Sequence, residues 1–412
     1  MIRFIHAADL HLDSPFKGLK QLHPDLFEFI YQATFQSLAN IVTLAIEEKV
    51  DFLLISGDIY DGDNQSVKAQ AFFRDQMRRL DQVAIPVFLL HGNHDYMDQD
   101  ISRLQLPKNV TLFGDQPETH SLHLEDSVAI TGFSYPKRWV KERMIEKYPL
   151  RQPVDFHIGM LHGFLEGSHS KEDVYAPFAL EDLLKRNYDY WALGHIHKRE
   201  VLQTYPPIVY SGNTQGRNPN ETGEKGVYMV TLQKGMDARL QFVNTAPIFW
   251  QEKIVSLKNT RTLDGLYSKL TQVMEQVKQD QDQMVLLSVV LEDRDDLPDD
   301  LIERIQNGDL LAGVEQDQTV YLYRIALAAH KRRFIFSADS QMQESFMNSK
   351  NELENDDNYR RLLQDLFKHP IVRTRFSDLE ADQELKEQII QAAEELLLED
   401  IVFEEGEIAS ED

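Results

Sequence analysis

Short apolar runs alternate with stretches of helical period along the first half of the chain. Ile2–Ala8 is an apolar run broken only by Arg3 and His6, the pattern of a strand covered on both faces. Phe35, Leu38, Val42, Ala45 and Ile46 recur at the spacing of one helix face. Phe52–Ser56 predicts a second strand, residues 66–82 a helix and Val87–Leu90 a third strand. Val128–Phe133, His157–Leu161 and Tyr190–Leu193 continue the series. From about residue 200 the helical period fades, and Pro207–Ser211, Val227–Leu232 and Leu240–Asn244 read as hairpin-like strands. Strands alternating with helices, then strands alone, predict α/β layers closed by an antiparallel section.

The pattern changes twice more. Residues 254–330 give strand, helix (262–278), strand (284–291), helix (298–307) and strand (319–326), a small α+β unit beyond a boundary near 250. After the basic knot His330-Lys331-Arg332-Arg333, residues 340–358 are polar and acidic and predict a loop. Two helical stretches follow, one carrying Tyr359, Leu362, Leu363 and Leu366, the other Leu385, Ile389, Ala393 and Leu396. Three parts result: 1–250, 251–335 and an acidic helical segment over 336–412.

Charge sharpens that division. The 412 residues carry a net charge of −25, yet residues 1–250 hold 25 Lys and Arg against 32 Asp and Glu, and residues 251–412 hold 18 against 36. A polyanion is repelled by the rear part and must meet a local basic patch in front. One is present: Lys137, Arg138, Lys141, Arg143, Lys147 and Arg151 fall in one expected helix and its flank. Lys137, Arg138 and Lys141 are its candidate DNA contacts. Absence of cysteine rules out disulfides and thiolate metal sites, so any metal is held by His, Asp, Glu or Asn. Asp9 and His11 interrupt the first apolar run too early for a cleavable leader, and no stretch reads as the ~18 apolar residues of a membrane span. The expectation is a soluble cytoplasmic protein.

The chemistry lies where the strands stop. Ile2–Ala8 runs into Asp9-Leu10-His11; Phe52–Ser56 into Gly57-Asp58-Ile59-Tyr60-Asp61; Val87–Leu90 into His91-Gly92-Asn93-His94-Asp95; His157–Leu161 into His162-Gly163; Tyr190–Leu193 into Gly194-His195-Ile196-His197. Carboxyl ends of α/β strands face one crevice, so Asp9, His11, Asp58, Asn93, His94, His162, His195 and His197 are delivered to a single rim. Imidazole with carboxylate suits Mn, Fe or Zn. In an extended segment D-x-H and H-x-H set two side chains on one side, so that each pair grips one cation. A carboxylate shared by two cations holds them ~3.5–4 Å apart, as in two-metal hydrolases. His6, His91, His120, His123 and His157 read as ordinary core or surface histidines. The Gly/Asn-rich stretch 211–226 reads as a plain hairpin loop near the site.

In that order, D-x-H, G-D, G-N-H-D, H-G and G-H-x-H resemble the calcineurin-like metallophosphoesterases over about residues 1–215. "HAADLHLDSPFKGL", "LLISGDIYDGDNQS", "LLHGNHD" and "WALGHIHK" are most similar to its SbcD-type branch of DNA double-strand-break nucleases, closest to the YhaO-like DNA repair exonucleases. The resemblance implies a layered αββα sandwich, a small α+β cap and a C-terminal helical segment docking on an SbcC-like ABC-type ATPase, with a homodimer expected through helices near 66–82 or 97–105. It implies two divalent ions, Mn foremost, one held by Asp9, His11, Asp58 and His197, the other by Asp58, Asn93, His162 and His195. It implies hydrolysis of DNA phosphodiesters by a two-metal-activated water, with His94 over the phosphate and Asp95 orienting His94 or a ligand. In one departure, archaeal and eukaryotic members have histidine where Asp61 stands, as many bacterial ones do not. Three rivals share the pattern: a phosphoesterase for nucleotides or other small diesters, a non-enzymatic docking subunit of the ATPase, and a protein phosphatase. An intact His94 speaks against the second.

Overall fold

The computed structural model describes residues 1–14, 16, 24–61, 65–96, 104–167, 175–280, 283–293, 297–328, 334–336, 341–364, 386, 389–390 and 401–403. Two six-stranded sheets are built by the chain up to Asn244. In chain order the elements are β1 (Ile2–Ala7), α1 (Pro24–Glu47), β2 (Phe52–Ser56), α2 (Val67–Gln82), β3 (Val87–Leu90), β4 (Val110–Leu112), β5 (Glu118–His123) and β6 (Ser127–Gly132). These are followed by β7 (Phe156–His162), α3 (Leu180–Arg186), β8 (Tyr190–Gly194), β9 (Glu200–Thr204), β10 (Pro207–Tyr210), β11 (Gly226–Leu232) and β12 (Arg239–Asn244). One sheet runs β12-β11-β1-β2-β3-β4, the other β5-β6-β7-β8-β10-β9. The first is parallel from β1 to β4 and antiparallel at β11 and β12; the second is parallel from β6 through β10 with antiparallel edges.

Alternation along the central strands explains the layering. Ile5 and Ala7, Leu53 and Ile55, Val87 and Leu89 face one cluster with Phe35, Leu38, Ile41, Val42 and Ala45 of α1 and Phe73, Met77 and Leu80 of α2. Their strand neighbours Phe4, Phe52, Leu54, Phe88 and Leu90 face the opposite way, onto Val128, Ile130, Phe156, Ile158, Met160, Tyr190 and Ala192 of the second sheet. Within that inner layer Phe4 stacks on Phe52 at 4.8 Å and meets Tyr190 edge-on at 5.3 Å. The outer face of the second sheet, with Leu161, Trp191, Leu193 and Ile208, is covered by Leu183 of α3 and by Phe133, Tyr135, Val140 and Tyr148. Strands apolar on both sides are what such double coverage requires. α2 is started by Ser66, whose hydroxyl accepts from the Ala69 amide at 3.0 Å.

Three edge strands are not legible as apolar runs. β4, β5 and β9 are partly exposed edge strands. β13 (Ile248–Ser256), β14 (Met284–Glu292) and β15 (Val320–Leu327) form a three-stranded sheet, with α4 (Leu263–Asp280) and α5 (Asp299–Gln306) between them. Ile248, Trp250, Met284 and Leu286 pack on Ile30 and Ala33 of α1. Contacts divide the chain into two compact units: Met1–Val255, Thr260–Val290 and Pro298–Ala326 in one, Ser256–Asn259, Leu291–Leu297 and Leu327–Asp412 in the other. The second unit contains β16 (Phe334–Phe336) paired in parallel with β17 (Ile401–Phe403), α6 (Gln341–Glu354) and α7 (Asp356–Leu362).

Three expectations need correction. Residues 340–358 are not loop but largely α6 and α7; Gln, Glu, Met and Lys favour helix whatever their polarity. The basic stretch from Lys137 is irregular, and only Met144–Lys147 closes a 3₁₀ turn. Leu26–Glu47 does reach the length and mean hydropathy of a membrane span, although Ile30, Ala33, Leu38, Ile41, Val42 and Ala45 on it are core residues here. The stripe Leu385, Ile389, Ala393 and Leu396 lies largely outside the described residues, as does the segment 97–103 considered for dimerisation.

Candidate metal centre

The rim is stitched by backbone before any side chain is counted. Asp9 donates its amide to Gly57 O (3.1 Å), His11 to Asp58 O (3.0 Å) and Leu12 to Ile59 O (2.8 Å), so the segments after β1 and β2 travel together. Asp95, fully buried, accepts from the Ile59 and Gly92 amides, both at 2.5 Å, and so ties the loop after β2 to the loop after β3. Ser56 links the sheets, its hydroxyl donating to Ala192 O at 3.0 Å and its carbonyl accepting from His162 Nδ1 at 2.9 Å. Gly57 (φ +92°) and Gly92 leave the room this needs: a Cβ on the first would sit 2.5 Å from His162 Nδ1, on the second 2.2 Å from Asp58 Oδ1.

The backbone that carries the donors is not extended. Asp9 (φ 52°), His11 (φ 44°), Asp58 (φ 52°) and His195 (φ 100°) all occupy positive φ. Each such residue costs on the order of 1–3 kcal/mol, and their concentration at one rim marks a functional site. Left-handed turns, rather than strand alternation, aim Asp9 and His11 together. The H-x-H residues diverge instead. His197 groups with Asp9 and His11, whereas the His195 ring lies 5.2 Å from that of His162, so the pair does not grip a single point.

Two convergent sets emerge, with Asp58 between them. Its Oδ1 accepts the His94 amide at 3.0 Å, which leaves Oδ2 toward the imidazoles. Oδ2 is 3.8 Å from His11 Nε2 and 3.4 Å from His162 Nε2. His11 Nε2 in turn faces His197 Nε2 at 3.1 Å, and His162 Nε2 faces Asn93 Oδ1 at 3.0 Å. Asp9 joins both sets, its ligand oxygen within 4.8 Å of the donors of His11 and His197 and of Asp58 and His162. A third set, His11, Asp61 and His94, adjoins them. The His94 ring is 30% exposed, with Nδ1 3.7 Å from Asp61 Oδ1 and ring centre 5.0 Å from that of His11.

The charges are those of a cation site. Burial pushes the Asp9 carboxyl up to about 6, against the pull of His162 and His197. Burial and the nearby Asp58 raise Asp95 to about 7. At Asp58 burial opposes ionisation, but His162, His11 and His94 overcome it and hold the carboxyl well below the carboxylate range. Burial would lower His162; the carboxylates of Asp58 and Asp9 reverse that and lift it to about 9. His11, buried and beside Arg217, falls to about 3, and its Nδ1 faces Asp61 Oδ1 at 3.6 Å. Two buried carboxylates and imidazole nitrogens aimed at a common point fit a pair of divalent cations.

Two side chains that support the site escaped the sequence reading. Glu221 accepts from His197 Nδ1 at 2.8 Å, from Asn213 Nδ2 at 2.9 Å and from the Arg217 amide at 2.7 Å. It fixes the His197 tautomer with Nε2 toward the site. Arg217 donates to Ser14 Oγ (2.9 Å) and Asp61 Oδ1 (3.2 Å), and Ser14 donates to Asp61 Oδ2 at 2.8 Å. Ser211, Asn213, Thr214 and Gln215 are buried, so 211–226 is no plain hairpin. Charged residues in a loop that folds inward were the only available signal. Asp95 bonds the Ile59 and Gly92 backbone amides, which makes it a brace between the two loops.

The basic residues spread out. Lys137 lies 3.8 Å from Glu142 and is 63% exposed, Arg138 sits 5.4 Å over the Trp139 ring, and Lys141 is exposed. Arg143 is held by Glu166 and Asp182, and Arg151 by Asp189 at 3.1 Å. His6 and His157 are satisfied core histidines, on Tyr190 OH (2.9 Å) and Thr131 Oγ1 (2.8 Å).

Residues 2–199 match the family described as calcineurin-like phosphoesterase. YhaO of Bacillus subtilis, described as an uncharacterized metallophosphoesterase, is 40% identical over 281 residues, 67% of this chain and 68% of that protein. The DNA double-strand break repair protein Mre11 of Thermoplasma acidophilum is 24% identical over 244 residues, 56% of this chain and 62% of its own. The SbcD component of the nuclease SbcCD of Bacillus subtilis is 23% identical over 313 residues, 67% of this chain and 77% of its own.

Proposed function

The chain belongs to the calcineurin-like metallophosphoesterases, and from that premise we propose that it is a metal-dependent DNA nuclease, an exonuclease working on DNA ends. The observation that carries the reading is Asp58, whose Oδ2 is shared by two convergent donor sets while its Oδ1 holds the His94 backbone. The names of the Mre11 and SbcCD relatives support DNA as the substrate. Asp9, His11, Asp58 and His197 would hold one divalent ion, and Asp58, Asn93, His162 and His195 the other, with Mn foremost. Two such ions supply Lewis acidity and a lowered water pKa.

The chain's own groups do the rest. Glu221 and the Ser56 carbonyl hold His197 and His162 with Nε2 inward. His94, half-open to solvent and clear of the two buried sets, stabilises charge on the phosphoryl oxygens and hands a proton to the departing ribose oxygen. Asp61, anchored by Ser14 and Arg217, faces the Nδ1 side of both His11 and His94 and keeps the two rings apart in register. Asp95 braces the loops, so Asp58 and Asn93 keep their spacing.

The test is hydrolysis of linear duplex and single-stranded DNA, with free and blocked ends, across Mn, Mg, Zn and chelator. Release of nucleotides from free ends with Mn is expected. Fast turnover of a nucleotide monoester or cyclic diester, with all DNA left intact, would make the chain a small-substrate phosphoesterase instead. The segment 336–412 is proposed to dock an ABC-type ATPase and the front unit to dimerise. Deleting residues 340–412 should spare a chromogenic diester and abolish co-purification of the ATPase; unchanged co-purification refutes the docking.

A further inference from the structure

One large aromatic ring near the site is left unburied. Trp139 is 52% exposed, while its chain neighbour Val140 is 1% exposed and sits in the core with Phe164 and Tyr175. The backbone beneath it is firm, because the Ala176 amide donates to Val140 O at 2.7 Å. The ring is therefore held outward on a fixed support, at the cost of leaving a large apolar surface in water.

Its ring contacts lead to the metal centre. Trp139 meets Tyr175 at 5.3 Å and 52°; Tyr175, only 4% exposed, meets His195 at 5.4 Å. Those two contacts end to end are the greatest separation the Trp139 and His195 rings can have. With a stacked rise of about 3.4 Å per nucleotide, the span is roughly three nucleotides at most. The charge a polyanion would meet comes from two exposed lysines, Lys137 and Lys141, on either side of Trp139, with Arg138 5.4 Å over the ring; Arg143 is taken up by Glu166 and Asp182. Aromatic faces flanked by basic residues are how single strands are held without regard to base identity.

We propose that Trp139 is a nucleobase-stacking platform that seats one base of a single-stranded DNA end, one to three nucleotides from the phosphate at the metal centre, with Lys137 and Lys141 along its backbone. The inference rests on the nuclease reading and deepens it. A paired base hides its face within the duplex, so frayed or single-stranded ends are the preferred substrate.

The test uses the full chain with Trp139→Ala and Trp139→Phe. With Mn and a short oligothymidylate, Trp139→Ala should raise KM between about fivefold and 150-fold, and Trp139→Phe should recover most of the loss. Hydrolysis of bis(p-nitrophenyl) phosphate, which carries no nucleobase, should stay within about twofold of wild type. Fluorescence supplies a readout free of catalysis. Of the three tryptophans, Trp191 and Trp250 are buried, so quenching by oligothymidylate in chelator reports Trp139 and should vanish in Trp139→Phe. Wild-type KM in Trp139→Ala together with absent quenching overturns the platform and leaves the nuclease reading standing. Trp139-dependent quenching in a wild-type protein that cuts no DNA keeps the platform and overturns the nuclease.

Discussion

Replacing Glu221 by Gln removes a single charge from behind the metal centre and should be felt in one metal site only. The carboxylate is 11% exposed and accepts from three donors, His197 Nδ1 at 2.8 Å, Asn213 Nδ2 at 2.9 Å and the Arg217 amide at 2.7 Å. A glutamine offers one acceptor oxygen and one donor amide, so in either orientation a donor is turned against a donor. Hydrogen bonds to a charged group contribute about 1.5–3 kcal/mol, equivalent to a factor of roughly 10 to 150. Outer partners of metal-bound histidines are worth about 10–100-fold in affinity, which agrees. Mn titration by calorimetry on chelator-stripped protein at pH 7.5 is the assay. Of two Mn sites, one should weaken by about 10–100-fold and the other by less than about threefold, with the thermal melt showing a folded protein. Wild-type affinity at both sites would refute the argument that Glu221 sets the His197 lone pair.

Other perturbations separate the roles of neighbouring groups. His94→Ala should retain two Mn per chain and lose about 10²–10⁴-fold in rate on DNA; a variant that takes up no metal would make His94 a ligand. Gly92→Ala places a Cβ 2.2 Å from Asp58 Oδ1 and 2.8 Å from His162 Nε2, so it should destabilise by about 1–3 kcal/mol in thermal unfolding and lose Mn; a variant with native melting and full Mn binding contradicts the packing described. Mn affinity should rise with pH between 5 and 8, because Asp9 at about 6 and His162 at about 9 must shed protons to bind. Both lie above their unfolded values, so their contribution to metal-free stability is complete in acid and is lost as pH rises through 6 and then 9. The stabilisation Mn confers in thermal melts should accordingly be larger at pH 8 than at pH 5; a shift independent of pH would count against the charges assigned to this pair.

Most of the candidate rim is readable from the chain because buried strands announce themselves as apolar runs, and a candidate ligand placed soon after such a run needs no knowledge of the loops. Asp9, Asp58, Asn93, His162 and His197 are all of this kind. Glu221 and Arg217 are not: they stand in an irregular segment, where period carries no information, and they act through backbone turns that fold the loop inward. The same limit explains why strand alternation gives the wrong reason for D-x-H, whereas positive φ at Asp9 and His11 does the aiming. β4, β5 and β9 are hard to see because edge strands keep one side wet. α6 is hidden by its polarity, since charge weighed against helix propensity misleads there.

The central claim is that side chains from five strand ends hold two cations about a shared Asp58. Crystals grown with Mn and measured at the manganese absorption edge test it directly. Two anomalous peaks are predicted, ~3.5–4 Å apart, one among Asp9, His11 and His197 and the other among Asn93, His162 and His195, with Asp58 touching both. A single peak, or two that leave Asp58 out, would contradict it.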